Sequence, residues 1–193
     1  MLDFERFVED CKVAIKQEDS RDQIQELVTK AVEDPSALLA AIGEPQKAGI
    51  NRIHVADDLT ILNLVWGPGM ELYPHNHEMW ACIGLYCGRE DNTFYQREEG
   101  ELVRHGLRVL EPRHVARLGK NAIHSVKNPL QQLTGALHVY GGNFFETPRS
   151  EWTPDTLEEQ PYSVEGALRM FEESNVRWEE IQAARAGVTA IAC

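Results

Sequence analysis

The stretch Gly69-Met-Glu-Leu-Tyr-Pro-His75-Asn-His77 decides how this chain is expected to fold. Side chains two positions apart on a β-strand point to the same face of a sheet, so His75 and His77 are predicted to enter one cavity. Neutral imidazole is a common protein ligand for divalent metal ions. The spacing therefore predicts a strand that carries two ligands of a metal site.

A third metal ligand is expected from another strand, because two protein ligands hold a metal ion weakly. The candidate is His124, in Gly119-Lys-Asn-Ala-Ile-His124-Ser-Val-Lys-Asn128. Gly-x5-His-x-His followed by His-x3-Asn resembles the paired motifs of the cupin superfamily, over roughly residues 60 to 145. That resemblance implies a double-stranded β-helix, or jelly-roll, barrel. His54, His105 and His114 fit neither motif, and the last two are predicted to be exposed.

The rest of the chain divides into three parts of one predicted domain. Residues 1–48 and 151–193 have helical patterns, whereas residues 49–150 have short apolar or alternating runs broken by Gly, Pro and Asn. The prediction is a mainly β protein, a β-barrel with helices before and after it. The candidate strands are Thr60–Trp66, Trp80–Tyr86, Thr93–Arg97, Leu102–Leu110, Val115–Leu118, Ile123–Lys127 and Gln132–Tyr140.

Capping residues indicate where the N-terminal helices begin and end. Ser20 followed by Gln23 is predicted to form a capping box for a second helix. Asp34 is predicted to cap a third helix, with Pro35 in its first position and Gly43 at its end.

Two further helices are predicted in the C-terminal part. Ser163 is predicted to cap the first, which continues through Phe171. The second is predicted around Trp178–Ala186, with its end near Gly187.

Composition excludes several kinds of partner. The 19 basic and 31 acidic residues give a net charge of -12, and no Lys/Arg cluster stands out. Nucleic acid and anionic membrane are therefore not predicted as partners. The chain has no apolar run long enough to span a bilayer and does not begin like a secretory signal, so a cytoplasmic location is expected. The 4 cysteines lack metal-ligand spacing and are predicted to be reduced thiols.

The expected ligand set lacks a carboxylate. Cupins that bind metal often add a glutamate four or five residues after the second histidine, where this chain has Ala81 and Cys82. Three neutral imidazoles would leave a metal ion up to three open positions, enough for a bidentate anion and dioxygen. Three features of the sequence together resemble the cysteine dioxygenase type I family, the thiol dioxygenases. They are Cys82, the strand Leu137-His138-Val139-Tyr140 and the segment Val65-Trp66-Gly67-Pro68-Gly69.

This resemblance implies roles for particular residues. The Fe(II) ligands that it implies are His75, His77 and His124. Tyr140 would be the active-site phenol, and His138 would orient it. In family members a serine two residues before this histidine completes a hydrogen-bonded triad with the His and the Tyr. This chain has Ala136 there, so the triad is incomplete or is closed by water or another hydroxyl. Cys82 would match the cysteine that in some members forms a thioether with the tyrosine; the alternative is a buried, inert thiol.

A thiol substrate with a carboxylate would need a fixed cation, and arginine suits because it pairs bidentately. Arg52 lies near the place where cysteine-oxidising members keep their arginine. Arg149 matches the place shared by members that act on 3-mercaptopropionate, and either residue could instead be a surface arginine. The side chains that could also line the pocket, without a catalytic role, are Tyr73, Met79, Trp80 and Phe144.

The predicted activity is a non-haem iron dioxygenase that oxidises a small thiol, of the cysteine or 3-mercaptopropionate type, to its sulfinic acid with O2. Fe(II) is the expected cofactor, although three imidazoles also accept nickel or zinc. Two alternatives stay open: a metal-dependent cupin of other activity, such as a β-diketone dioxygenase or a zinc or nickel enzyme, and a non-catalytic metal-binding sensor. The chain is expected to be a monomer or a homodimer.

Overall fold

The computed structural model describes residues 2–191, with side chains up to residue 187; Cys193 lies outside the described residues. Three helices come first: α1 (Phe4–Ala14), α2 (Ser20–Glu33) and α3 (Pro35–Ile42). The predicted cap of α3 is confirmed, since Asp34 Oδ1 accepts a hydrogen bond from the Ala37 N–H at 3.1 Å. The helix ends at Gly43, whose φ of 86° suits glycine.

The predicted capping box of α2 is one residue off. Ser20 is already the first helical residue, and Asp19 occupies the cap position. Gln23 reaches back to Asp19, with its Nε2 donating to Oδ1 at 2.6 Å, and the Asp19 side chain makes no bond to the first-turn backbone. Both residue types favour helix starts, so sequence alone did not separate the two adjacent candidates.

All seven predicted strands are confirmed, with ends that differ by at most three residues. Four more strands are present among the described residues: the spacing of His75 and His77 predicts one of them, and the other three were not predicted. The eleven strands of the described residues are β1 (Gly49–Val55), β2 (Thr60–Trp66), β3 (Glu71–Asn76), β4 (Ala81–Cys87), β5 (Glu90–Glu98), β6 (Glu101–Leu110), β7 (Val115–Leu118), β8 (Ile123–Lys127), β9 (Thr134–Tyr140), β10 (Ser150–Trp152) and β11 (Glu159–Pro161).

The strands form two antiparallel sheets. The five-stranded sheet has the order β1-β2-β9-β4-β7, and the six-stranded sheet has the order β11-β10-β3-β8-β5-β6. From β2 to β5 and again from β7 to β9, consecutive strands alternate between the sheets, so the chain winds as a double-stranded β-helix. This arrangement confirms the predicted double-stranded β-helix, and no ladder between described strands joins one sheet to the other.

The five-stranded sheet is buried on both faces. Its inner face, which includes Leu62 and Ile83, packs against Leu72 and Val126 of the six-stranded sheet in one apolar cluster. Its outer face packs against the N-terminal helices, as the cluster that joins Val139 to α2 shows. Burial on both faces explains why β2 and β9 have almost continuously apolar sequences.

The C-terminal part forms one long helix, α4 (Val164–Ile191), instead of the two that the sequence predicts. Ser163 caps it as predicted, with Oγ accepting from the Gly166 N–H at 2.9 Å. The helix continues past Phe171 because no proline interrupts it, and Gly187 inside a helix costs only about 1 kcal/mol. Phe171 stacks on Trp66 with ring centroids 5.6 Å apart, which fixes α4 against the inner cluster.

Among the helices of residues 2–191, none combines the length and the apolar character that crossing a bilayer requires.

Replacing Gly84 with Ala is expected to destabilise the fold. A Cβ at Gly84 would lie 2.5 Å from Val28 Cγ1 and 2.9 Å from Val32 Cγ1, so the contact between β4 and α2 would have to open. Overpacking of this kind costs about 1–3 kcal/mol. Urea unfolding followed by circular dichroism measures the loss. Gly49→Ala is the control, since a Cβ there meets nothing within 4 Å. Equal stability of the two variants would contradict this packing.

Candidate metal centre

Two adjacent strands and the residue after one of them bring the three predicted histidines together. His75 on β3 is directly paired with His124 on β8, and His77 follows the last residue of β3. His77 Nε2 lies 3.2 Å from His75 Nε2 and 3.5 Å from His124 Nε2. The side chains are 5%, 3% and 1% exposed for His75, His77 and His124. The three imidazoles therefore meet at one buried point.

Hydrogen bonds at the far nitrogens orient two of these rings. His75 Nδ1 lies 2.8 Å from the Tyr73 carbonyl oxygen, and His124 Nδ1 lies 2.9 Å from Asn92 Oδ1. Both oxygens are acceptors, so each Nδ1 carries the proton and each Nε2 lone pair faces the common point. His77 Nδ1 is buried without a hydrogen-bond partner in the described part of the chain.

The protonation state also suits metal binding. Burial lowers the pKa of His75 to about 4, and burial together with neighbouring positive charge lowers the pKa of His77 and His124 well below the ordinary value. Neutral imidazole is the form that binds a metal ion. Nitrogens about 2.0–2.1 Å from one ion lie about 3.0–3.4 Å apart. The separation of 3.2 Å between His75 and His77 lies in this range, and that of 3.5 Å between His77 and His124 is slightly longer. These residues fit a divalent metal ion with three histidine ligands.

The centre opens into a small cavity between the two sheets. The cavity has a volume of about 20 Å³, which is the space that the centre of a water molecule can occupy. Aromatic and aliphatic side chains form most of its wall, and none of the described residues that line it is acidic. Ala81 belongs to the inner cluster and pairs with Tyr140. Its methyl group therefore occupies one of the two positions at which a glutamate ligand could have been present. With a divalent ion bound, neither the three ligands nor the described lining would therefore neutralise its charge.

Tyr140 and His138 lie on the inner face of β9, beside the metal centre. The Tyr140 hydroxyl is 3.0 Å from His138 Nδ1, and the Tyr140 ring stands 5.2 Å from the His77 ring, centroid to centroid. Burial raises the pKa of Tyr140, so the phenol stays protonated at neutral pH. Ala136 offers no hydroxyl to this pair, as the sequence indicates. The structure thus brings the phenol and its histidine to the site.

Cys82 lies on the opposite face of the five-stranded sheet, which corrects the thioether hypothesis. Its neighbour Ala81 pairs with Tyr140 and faces the inner cluster, whereas Cys82 pairs with Val139 and packs in the cluster under the N-terminal helices. A thioether between Cys82 and Tyr140 would have to pass through the sheet. Burial raises the pKa of Cys82 to about 12, so this thiol is unreactive.

The two candidate arginines differ in position. The Arg149 guanidinium lies between two rings at the cavity, 4.1 Å from the Phe144 centroid and 4.2 Å from the Tyr162 centroid. Its Nη1 donates to the Phe144 carbonyl, while its buried Nε has no partner in the described residues. Arg52 is exposed and lies over the Phe145 ring, 3.7 Å from the centroid. The structure thus places Arg149, but not Arg52, against rings that line the cavity.

The side chains that sequence analysis suggested as a pocket lining separate into different places. Phe144 lines the cavity, and Met79 packs in the inner cluster. Trp80 packs on the helix side of the sheet, and Tyr73 contributes its backbone carbonyl to His75. His105 and His114 are exposed, as predicted.

Sequence analysis missed Glu90, Asn92 and Tyr162. Strand β5 begins three residues earlier than predicted, and this places Glu90, Asn92 and Phe94 on one inward face. The alternation Glu90-x-Asn92-x-Phe94 was the available signal. Tyr162 lies in the segment before α4, where no local pattern marks its ring as a neighbour of His75, 5.9 Å away between centroids.

No protein-family model matches this chain. Its fold is similar to that of a solved RmlC-like cupin with a double-stranded β-helix fold from Methanocaldococcus jannaschii, at 10% identity and a TM-score of 0.44 over 54% of this chain and 88% of that one. It is also similar to a variant of oxalate decarboxylase from Bacillus subtilis, at 17% identity and a TM-score of 0.41 over 52% of this chain and 27% of that one. A third similar structure is a DMSP lyase from Ruegeria pomeroyi, at 19% identity and a TM-score of 0.41 over 52% of this chain and 46% of that one. Likenesses this distant carry no argument about activity.

Replacing Asn92 with Leu is expected to weaken metal binding. The change removes the oxygen that holds the Nδ1 proton of His124 and so fixes its Nε2 lone pair toward the centre. Loss of such a partner typically costs about 10- to 100-fold in metal affinity. Competition titrations with a chelator, using Zn²⁺ and Co²⁺, measure the change. Asn51→Leu, at an exposed asparagine, is the control. Equal affinities of the two variants would refute this role of Asn92.

Proposed function

We propose that this protein is a non-haem iron dioxygenase that oxidises a small thiol carboxylate, of the cysteine or 3-mercaptopropionate type, to its sulfinic acid. The overall reaction adds both atoms of O2 to the sulfur: RSH + O2 gives RSO2H, so no further reductant is needed. The observation that carries the proposal is a three-imidazole centre with no acidic residue among the described cavity lining and with one arginine beside it.

The ligand set supports this class of chemistry. An Fe(II) ion held by His75, His77 and His124 would offer open positions for a thiolate and for dioxygen and would supply the redox chemistry. Three neutral ligands leave the positive charge of the ion available to anionic substrate groups. A site with carboxylate ligands would bind a doubly charged thiol carboxylate less strongly.

Arg149 supports the choice of a thiol that carries a carboxylate. Its guanidinium is held between Phe144 and Tyr162, and those two rings lie 6.2 Å from His77 and 5.9 Å from His75, centroid to centroid. A substrate bound through sulfur at the centre would therefore reach this cation within a few bonds. The cavity is small, which favours a compact substrate over a bulky one.

Tyr140 supplies a neutral hydroxyl on the opposite wall. It is fully buried, and its pKa is raised by burial, so the hydroxyl acts as a hydrogen-bonding group and not as an anion at neutral pH. The contact with His138 fixes its direction. We infer that this hydroxyl orients the ligand atoms that occupy the space next to His77.

Oxygen consumption is the direct test of the proposed reaction. Anaerobically Fe(II)-loaded protein is offered cysteine, 3-mercaptopropionate, mercaptosuccinate and cysteamine in separate assays, and the sulfinate is identified by mass. Uptake with at least one carboxylate-bearing thiol is expected. His77→Ala should lose both iron binding and uptake, since it removes one of three ligands. The absence of uptake with every thiol, in protein that holds iron, would reject the proposal in favour of another metal-dependent activity or a sensor.

Substitution of the two arginines is expected to have unequal effects. Arg149→Gln removes a charged hydrogen-bond donor worth about 1.5–3 kcal/mol, which lowers kcat/KM for a carboxylate-bearing thiol by about 10- to 150-fold. The same variant should change kcat/KM for cysteamine, which has no carboxylate, far less. Arg52→Gln is the matched comparison, because its guanidinium is exposed and outside the cavity. A larger loss in Arg52→Gln would show that the carboxylate binds elsewhere.

A further inference from the structure

Glu90 is a buried carboxylate that the proposed function does not use. It is 0% exposed at the start of β5, where a carboxylate is costly unless other groups bind it. The Trp66 indole N–H donates to Oε1 at 2.6 Å, and the Asn92 amide N–H lies 3.4 Å from Oε2. His138 is a basic neighbour of this carboxylate, with its Nε2 3.8 Å from Oε1.

One ring nitrogen of His138 lacks a hydrogen-bond partner and faces this carboxylate. Its Nε2 is buried and has no hydrogen-bond partner among the described residues, whereas its Nδ1 lies 3.0 Å from the Tyr140 hydroxyl. A buried ring nitrogen that has no hydrogen-bond partner destabilises the folded state. Ala136 supplies no hydroxyl to satisfy it. The carboxylate of Glu90 faces this nitrogen, at a distance somewhat longer than a hydrogen bond.

We propose that Glu90 is a positioning residue that accepts a hydrogen bond from His138 Nε2–H and thereby sets the direction of the chain Glu90–His138–Tyr140. A carboxylate oxygen has lone-pair sites for more than one donor, so Oε1 can keep the Trp66 indole and also accept from His138. A shift of about 1 Å shortens the present separation to hydrogen-bond length.

The direction of this chain decides what Tyr140 offers to the cavity. With the ring proton on Nε2 of His138, Nδ1 is an acceptor, so the Tyr140 O–H must donate to it. The Tyr140 oxygen then presents free lone pairs to the cavity and accepts hydrogen bonds from whatever binds there. With the proton on Nδ1 instead, the Tyr140 O–H would be free to donate into the cavity. Glu90, on the far side of His138 from Tyr140, therefore selects between an acceptor and a donor at the site.

The location of the proton on His138 is directly measurable. Long-range proton–nitrogen NMR spectra of full chain labelled with ¹⁵N-histidine, recorded metal-free and zinc-loaded, distinguish Nε2–H from Nδ1–H; His138→Asn identifies the signals. We expect the wild type to carry its proton on Nε2 only. A proton on Nδ1 in the wild type, alone or together with one on Nε2, would overturn the proposal. This readout does not depend on turnover, so it stands or falls separately from the dioxygenase proposal.

Three variants test the part played by Glu90. Glu90→Leu removes the acceptor, and we expect the His138 proton to move largely to Nδ1. Glu90→Gln keeps an acceptor oxygen in the same place, so the proton should stay on Nε2 with a weaker hydrogen-bond shift, even if the Leu variant does not fold. Trp66→Phe is the control: it disturbs the same buried contact but leaves the carboxylate, and the proton should stay on Nε2. Each of three results would refute the role of Glu90. They are a proton that stays on Nε2 in Glu90→Leu, a proton on Nδ1 in Glu90→Gln, and a proton that moves to Nδ1 in Trp66→Phe.

Discussion

The antiparallel pairing of β3 with β8 is the constraint on which the site depends. It sets His75 directly opposite His124, and the chain that leaves β3 adds His77 after one further residue. Three imidazoles can be buried together because each is neutral and two of them have acceptors, a backbone carbonyl and Asn92, at their far nitrogens. These acceptors belong to the strands themselves or to the adjacent β5, so the six-stranded sheet fixes the positions of all three rings and the orientation of two.

The five-stranded sheet contributes the opposite wall, and its two faces have different functions. Alternate residues of β9 point to opposite sides: His138 and Tyr140 face the centre, whereas Leu137 and Val139 pack under the N-terminal helices. The helices are therefore structural elements that cover the outer face of this sheet. Gly84 and α2 are in close contact there, so any change in how the helices pack acts on the strand next to β9.

Local spacing was sufficient to predict the pair His75 and His77, the strands around them and the cap at Asp34, because each depends on residues close together in the chain. His124 is remote in the chain and was predicted only through the resemblance of its His-x3-Asn motif. Cys82 and Tyr140 were wrongly matched, since the face that a residue occupies depends on register between distant strands. Glu90 and Asn92 were missed because an error of three residues at the start of β5 removed them from the inward face. The break predicted in α4 was wrong: the sequence has no proline there, and contacts with Trp66 and Gln46, which are remote in the chain, hold the continuous helix.

Arg149 is not a free cation waiting for an anion, because its guanidinium already donates to the Phe144 carbonyl and lies between two rings. An anion that reaches it must exchange partners. A halide ion offers one point of contact in return for the one that is lost, whereas a carboxylate offers two oxygens in the plane of the guanidinium. The exchange of partners at Arg149 therefore favours a planar anion with two oxygens over a spherical one.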